Sequence, residues 1–282
     1  MIIQIPQPFD LHSTLNSGQS FRWEKQGEWV FGVIFSNIVK IREVNQGIEF
    51  VSSPDDEDTL ISLLVDYLGL STDIQSVYES ISIDRRIESA IEMYRGMRLL
   101  RQDPWECLIS FICSSASNIK RISRNVESIC DSYGTPIRLG NYHRNTFPTP
   151  VQLSQSEASD LRELGLGYRA DFIAATAQAV AGGEIDLFSL REESYKESLD
   201  CLISLDGVGD KVANCVMLFS LDKHDAFPVD VWINRVLHEW YLDGVQKKMS
   251  LLKLRSWAQS HFGPYAGYAN HYLFHSRRLQ GH

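Results

Sequence analysis

The chain changes its hydrophobic rhythm after its first fifty residues. Val30–Phe35, Ile38–Arg42 and Ile48–Ser52 are short β-branched or aromatic runs, split by Ser36–Asn37 and by Asn45–Gln46–Gly47. Such punctuation predicts an antiparallel sheet, with helices from about Glu57 onward packed on it. From Asp103 the pattern turns helical. Trp105–Ser115 is strongly apolar and predicts a core helix, broken by the small polar run Ser114–Asn118 and resumed from Ile119 to Tyr133. Asn141–Pro150 is polar, carries two prolines and reads as a surface loop. Ser156–Glu163 reads as a short helix, Leu164–Arg169 as a turn, and Ala170–Ala181 as a helix closed by Gly182–Gly183. Leu251–Phe262 and Tyr265–Arg278 are the last helices, on either side of Gly263–Pro264. The expected fold is α+β: an N-terminal antiparallel β-sheet domain with flanking helices (1–98), then a mostly α-helical domain (99–282).

One stretch carries candidate chemistry: Leu205–Asp230, LDGVGDKVANCVMLFSLDKHDAFPVD. Gly207 and Gly209 permit a tight turn with unshielded N–H groups, and a turn feeding a helix N-terminus is a ready phosphate site. The run Val212–Leu221 is apolar on nearly every side, so its helix is expected to be buried with only the first turn, bearing Lys211, exposed. The positive end of a helix disfavours a further positive charge, which makes this amine easier to deprotonate than a free lysine. Pro228 sets an extended approach to Asp230, which suits the N-cap of a helix over Val231–Tyr241. Two adjacent helix N-termini would then aim a lysine and an aspartate at one space. The residues alone leave a second reading open: a capping aspartate and a solvated lysine.

Composition changes that picture in two ways. The formal net charge of −9 opposes binding to a polyanion, unless a local basic surface overcomes the repulsion. Lys120, Arg121 and Arg124 on one helix, Arg169, and Arg277 with Arg278 are the candidates. The five cysteines, Cys107, Cys113, Cys130, Cys201 and Cys215, include no C-x-x-C pair and are odd in number, which argues against a disulfide framework or a structural zinc site. No run approaches the length needed to span a bilayer, and MIIQIPQPFD has no signal-peptide character. A cytoplasmic, nucleoid-associated or nuclear protein is expected, not a secreted one.

L-x-G-V-G-x-K, a helix and then P-V-D resemble the helix-hairpin-helix DNA glycosylases with a catalytic lysine, and more narrowly the 8-oxoguanine DNA glycosylases. NSGQSFRW at Asn16–Trp23, FICSS at Phe111–Ser115, LGLGYRA at Leu164–Ala170 and GPYAGYA at Gly263–Ala269 extend the likeness across most of the chain. The resemblance implies a helix-hairpin-helix unit over about 195–221. It implies excision of 8-oxoguanine from double-stranded DNA by Lys211, followed by strand cleavage through a Schiff base, with Asp230 as electrostatic partner. It needs no redox cofactor, and a one-site monomer is the simplest expectation.

The same resemblance implies particular contacts. The Gly18 carbonyl would accept the N7–H that distinguishes 8-oxoguanine from guanine. Cys215 and Phe274 would sandwich the extruded base, and Asn270 would meet its Watson–Crick edge. Asn118, Arg121, Tyr168, Arg169, Gly207, Gly209 and Trp232 would face DNA. Carbonyls of Ile203, Leu205 and Val208 would hold a structural cation against a phosphate. Four positions depart from the family pattern: Ala116 and Ser117 stand where asparagines are usual, Asn270 is one methylene shorter than glutamine, and Trp232 replaces a histidine. A sister glycosylase for another damaged base and a non-catalytic DNA-binding module are the alternative readings. Bland roles also exist for most of these residues: a turn glycine, core Phe274 and Cys215, a solvated Arg169.

Overall fold

The computed structural model describes residues 1–242 and 249–280. The sheet begins with β1 (Ile2–Gln4). Helix α1 (Leu11–Asn16), capped by Asp10, leads into the turn that holds Gly18. Then come β2 (Glu24–Gln26), β3 (Trp29–Ile34), β4 (Asn37–Val44) and β5 (Gly47–Ser53), all antiparallel to their neighbours in the order β1-β5-β4-β3-β2. The hydrophobic pattern anticipates the three central strands but not the short edge strands β1 and β2, whose residues lack a clear alternation. In β5, Ile48, Phe50 and Ser52 are buried while the residues between them are half-exposed, as a sheet covered on one face requires. The cover is α2 (Glu57–Tyr67), whose Leu60 and Leu64 join Ile41, Ile48 and Phe50 in one apolar cluster.

Helices α3 (Ile74–Ile81) and α4 (Arg85–Met93) bury Ile74, Val77, Tyr78, Ile81, Ile87 and Ile91 in the core of the helical body instead. Packing thus places 74–93 with the second half of the chain, ahead of the boundary expected at residue 98. Helix α5 (Pro104–Cys113) is almost wholly buried; Asp103 caps it by accepting the Trp105 and Glu106 amides at 2.8 and 3.0 Å. After the polar break, α6 (Ile119–Tyr133) starts from Asn118, whose side chain accepts the Arg121 amide at 3.0 Å.

The expected surface loop at 141–150 is in part a strand. β6 (Pro136–Leu139) and β7 (Tyr142–Asn145) form a hairpin closed by Gly140–Asn141. The Tyr142 ring lies 4.4 Å, centroid to centroid, from Phe31 of the main sheet. A two-residue Gly–Asn turn and an aromatic anchor outweigh the polar composition of the segment. Beyond it lie α7 (Pro150–Leu153), α8 (Ala158–Leu161), a wider π-type turn over Arg162–Leu166, and α9 (Arg169–Ala181). The hairpin pair α10 (Tyr195–Ile203) and α11 (Asp210–Ser220) follows. Helix α12 (Val231–Val236) widens into a π-type turn at Leu237–Tyr241, so the helix expected over Val231–Tyr241 is regular only in its first half. α13 (Leu251–Phe262) and α14 (Ala266–Gln280) end the described chain. Among the described residues, no helix is long and apolar enough to cross a membrane.

Candidate active site

Lys211 stands on the first turn of α11, and the residues after it, Val212 to Ser220, are all buried. The helix is therefore a core element with a half-buried amine at its positive end. It packs against α5, and this contact decides where the amine goes. Lys211 Nζ donates to the Ser114 hydroxyl at 2.8 Å and lies 5.1 Å from the Phe111 ring centroid. Asp230 caps α12 and accepts the Ile233 amide at 2.8 Å. Burial pushes its carboxyl above the ordinary aspartate range, against the lowering pull of that amide and of the Lys211 charge. One turn beyond Lys211, Cys215 is only 3% exposed. Burial pushes its thiol up to about 11, although Lys211 pulls the other way. The site therefore holds a neutral thiol beneath an amine, with a carboxylate in the same electrostatic neighbourhood.

Three further features shape the elements that carry the other expected site residues. Gly18 has φ +87°, a conformation that other residues adopt at a cost. A Cβ added there would lie 3.0 Å from Ile119 Cδ1, 3.2 Å from Arg278 Nη1 and 3.6 Å from Phe274 Cε1. Gly18 and Phe274 are thus brought together from opposite ends of the chain. The turn is held by Gln19, which is fully buried. Its amide nitrogen donates to the Thr14 and Arg98 carbonyls at 2.8 Å each, and its oxygen accepts the Leu100 amide at 2.8 Å. Helix α14, which carries Asn270 and Phe274, approaches α11 closely because Gly267 lacks a side chain; a Cβ there would sit 2.1 Å from Leu218 Cδ1.

Asn270 departs from the expected geometry. It is 3% exposed, and its amide nitrogen donates to the Pro228 carbonyl at 2.9 Å. One of its two N–H groups is committed to the loop before Asp230. Arg169 also points inward. It is 2% exposed; its guanidinium donates to the Ser115 carbonyl, at 2.9 Å from Nε, and to that of Ala116 at 3.2 Å. In this state it braces the 115–116 segment instead of facing solvent. Tyr168, by contrast, is 53% exposed beneath that guanidinium. Asn118 and Arg121 are exposed, and Trp232 is half-buried with Arg235 over its ring.

The basic surface is narrower than the sequence suggests. Lys120, Arg121 and Arg124 are all exposed on α6. Arg277, however, pairs with Glu239 at 2.7 Å. Arg278 turns toward the Gly18 turn, where Nη2 donates to the Asn16 carbonyl at 2.7 Å and lies 3.2 Å from His275 Nδ1. Burial and then the Arg278 charge depress His275 to about 4, so its ring is neutral and Nδ1 can accept. Reading by residue type and spacing missed Arg278 as a neighbour of Gly18, though its position four after Phe274 on one helix was a usable signal. For Ser114 no such local signal existed, because its partner is 97 residues away.

At the hairpin, Gly207 has φ +77°, and an added Cβ would fall 2.4 Å from the Phe172 ring of α9. Leu205 and Val208 are buried as its apolar anchors, and Gly209 is exposed at the N-cap of α11. The Leu205 carbonyl accepts the Val208 amide at 3.1 Å, whereas no hydrogen bond among the described residues ends on the carbonyls of Ile203 or Val208. Open carbonyls around a tight turn are the donor set a hard cation takes.

Comparisons with known proteins agree with this architecture. Residues 2–108 match the family model of the 8-oxoguanine DNA glycosylase N-terminal domain, and residues 109–259 that of the HhH-GPD superfamily of base excision DNA repair proteins. The N-glycosylase/DNA lyase OGG1 of Arabidopsis thaliana is 34% identical over 93% of this chain and 75% of its own length. The structure of MBOgg1 with a low-affinity DNA ligand superposes with a TM-score of 0.93 at 33% identity, covering 100% of this chain and 96% of that one. The 8-oxoguanine glycosylase/lyase of Clostridium acetobutylicum, bound to double-stranded DNA with cytosine opposite 8-oxoguanine, gives 0.91 at 28% identity, covering 100% and 99%.

Proposed function

The chain belongs to the 8-oxoguanine N-glycosylase/DNA lyase family within the HhH-GPD superfamily, and from that premise we propose that Lys211 is its nucleophile and Asp230 the carboxylate that steadies the reacting sugar. The protein excises 8-oxoguanine from duplex DNA and cleaves the strand, so it works where chromosomal DNA is, in a nucleoid or nucleus. The observation that carries the assignment of roles is the pairing of two helix N-termini. Lys211 opens α11 and Asp230 caps α12, each within the other's electrostatic field.

The chemistry balances without a redox partner. Extrusion of the damaged nucleotide costs a few kcal/mol of stacking. Packing of the base between the Cys215 side and the Phe274 ring, with N7–H on the Gly18 carbonyl, returns that energy for the oxidised base. Guanine, which has an acceptor at N7, would bring two acceptors together. The Lys211 lone pair attacks C1′ as the C1′–N9 bond breaks, and the departing base takes up a proton. Asp230 offsets the positive charge that develops on the sugar. The proton that the secondary ammonium gives up ends on O4′ as the nitrogen lone pair opens the C1′–O4′ bond, leaving a protonated Schiff base. Loss of a C2′ proton then forms the C2′–C3′ double bond and expels the 3′ phosphate. The carbonyls of Ile203, Leu205 and Val208 would hold a cation that ties the hairpin to a backbone phosphate, away from the reacting atoms.

Excision from duplexes carrying 8-oxoguanine opposite each of the four bases, with borohydride trapping in parallel, tests this reading. Base release with a covalent adduct is expected from the native chain, and Lys211→Gln is expected to lose the adduct. Trapping that survives in Lys211→Gln would overturn the role of Lys211. Preferential release of a different damaged base would move the substrate to the sister-glycosylase reading.

A further inference from the structure

Ser114 ends α5, in the polar break whose length and composition gave it no assigned task. Its hydroxyl accepts from the Lys211 amine at 2.8 Å, beside the Cys215 thiol, which also interacts with that amine. The donor and acceptor accounting around it is tight. Ser114 Oγ donates its single proton to the Phe111 carbonyl at 2.6 Å. A hydroxyl has one donor and two acceptor sites, so toward Lys211 this oxygen can only accept. It therefore fixes one N–H of the lysine without offering a proton to the nitrogen.

The mounting of that hydroxyl is rigid. Phe111, which takes the Ser114 proton, is itself buried in the core of α5 and stacks on Phe219 of α11 at 5.5 Å. The next carbonyl along, that of Ser115, accepts from Tyr168 as well as from Arg169, and the Ala116 carbonyl also accepts from Arg169. Ala116 has φ +47°, a conformation alanine rarely adopts. Such a turn persists only where its surroundings hold it, and here the buried guanidinium does so. Ser114 is thus anchored from its helix on one side and from a braced segment on the other.

We propose that Ser114 is the positioning residue for Lys211: its acceptor fixes one N–H of the amine so that, once the nitrogen is neutral, the lone pair is turned toward C1′ of the extruded nucleotide. The inference rests on Lys211 being the nucleophile. A lysine side chain has four rotatable carbons and a freely turning amine, so an unanchored lone pair samples many directions. Fixing one N–H removes most of that freedom before the reaction begins, which is the kind of prepaid orientation that lowers a barrier without tightening binding.

The test compares the native chain with Ser114→Ala and Ser114→Thr on a duplex holding 8-oxoguanine opposite cytosine. Single-turnover excision rates and borohydride adduct are measured beside the dissociation constant for a duplex with an uncleavable nucleotide analogue. Ser114→Ala is expected to slow excision roughly 10- to 100-fold with an unchanged dissociation constant and melting temperature. Ser114→Thr, which keeps the hydroxyl, is expected to restore most of the rate. Excision by Ser114→Ala at the native rate would overturn the proposal, as would a loss shared equally by rate and binding or a Ser114→Thr variant as slow as Ser114→Ala. Failure of the parent reading is distinct, since the native chain itself would then give no adduct.

Discussion

The Asn270 amide donates to the Pro228 carbonyl at 2.9 Å, so the last helix grips the loop that ends in Asp230. Asn270→Ala would leave a buried carbonyl without its partner, at a cost of about 1–3 kcal/mol. The expected outcome is a lower melting temperature and a single-turnover rate reduced more than DNA affinity, because Asp230 loses a brace. Calorimetry and quench-flow excision check both. An unchanged melting temperature would mean that the bond contributes nothing to the loop.

Asp230 should show opposite signs in stability and activity. Its folded pKa is raised by burial above the ordinary 3.8. A raised carboxyl contributes stability that is complete below the unfolded pKa and is lost as pH rises through the folded one. At neutral pH the ionised side chain therefore opposes folding. Asp230→Asn, which keeps a good N-cap, is expected to melt no lower than the native chain at pH 7 and to lose that advantage near pH 3.8. Its base release should be severely slowed with little change in DNA binding. In the native chain, the acid limb of the rate profile should lie above the usual aspartate range.

Gly18 tests the proposed contact with the oxidised base. An alanine there meets Ile119 at 3.0 Å and Arg278 at 3.2 Å, in a backbone conformation that costs alanine roughly 1–2 kcal/mol. Gly18→Ala is expected to cut excision of 8-oxoguanine at least tenfold, by displacing the turn from Phe274. Steady-state kinetics on the lesion duplex measure it. Native excision by this variant would remove the proposed Gly18 contact from recognition.

Gly207 tests the hairpin. Its alanine variant would place a Cβ 2.4 Å from the Phe172 ring, forcing the turn away from the conformation proposed to face a phosphate. Duplex affinity should weaken for damaged and undamaged DNA alike, and the slope of log affinity against log salt should fall by about one. Fluorescence anisotropy across a salt series gives both quantities.

What could be read in advance, and what could not, follows from the range of each interaction. The Lys211 turn, the Asp230 cap and the paired positions Lys211–Cys215 and Asn270–Phe274 are local, so spacing along a helix places them. That Gly18 and Phe274 would serve one extruded base was expected only through likeness to a family, since no local signal joins residues so far apart. The Ser114–Lys211 bond spans 97 residues and depends on how α5 packs on α11. Asn270 was expected at the edge of the extruded base and Arg169 at the DNA, and each donates to a carbonyl inside the protein. Burial of polar groups without partners is costly, and which carbonyl lies open is a tertiary fact. The 142–145 strand was hidden by polar residues, although the Gly140–Asn141 turn marked it.

The most direct measurement of the central claim is to locate the covalent link by mass spectrometry after borohydride trapping on an 8-oxoguanine duplex. Trypsin does not cut after a modified lysine, so attack by Lys211 predicts an uncut peptide over residues 197–223 carrying the nucleotide remnant. The same remnant on any other lysine or on the N-terminal amine, with the peptide after Lys196 still cut at Lys211, would contradict the account.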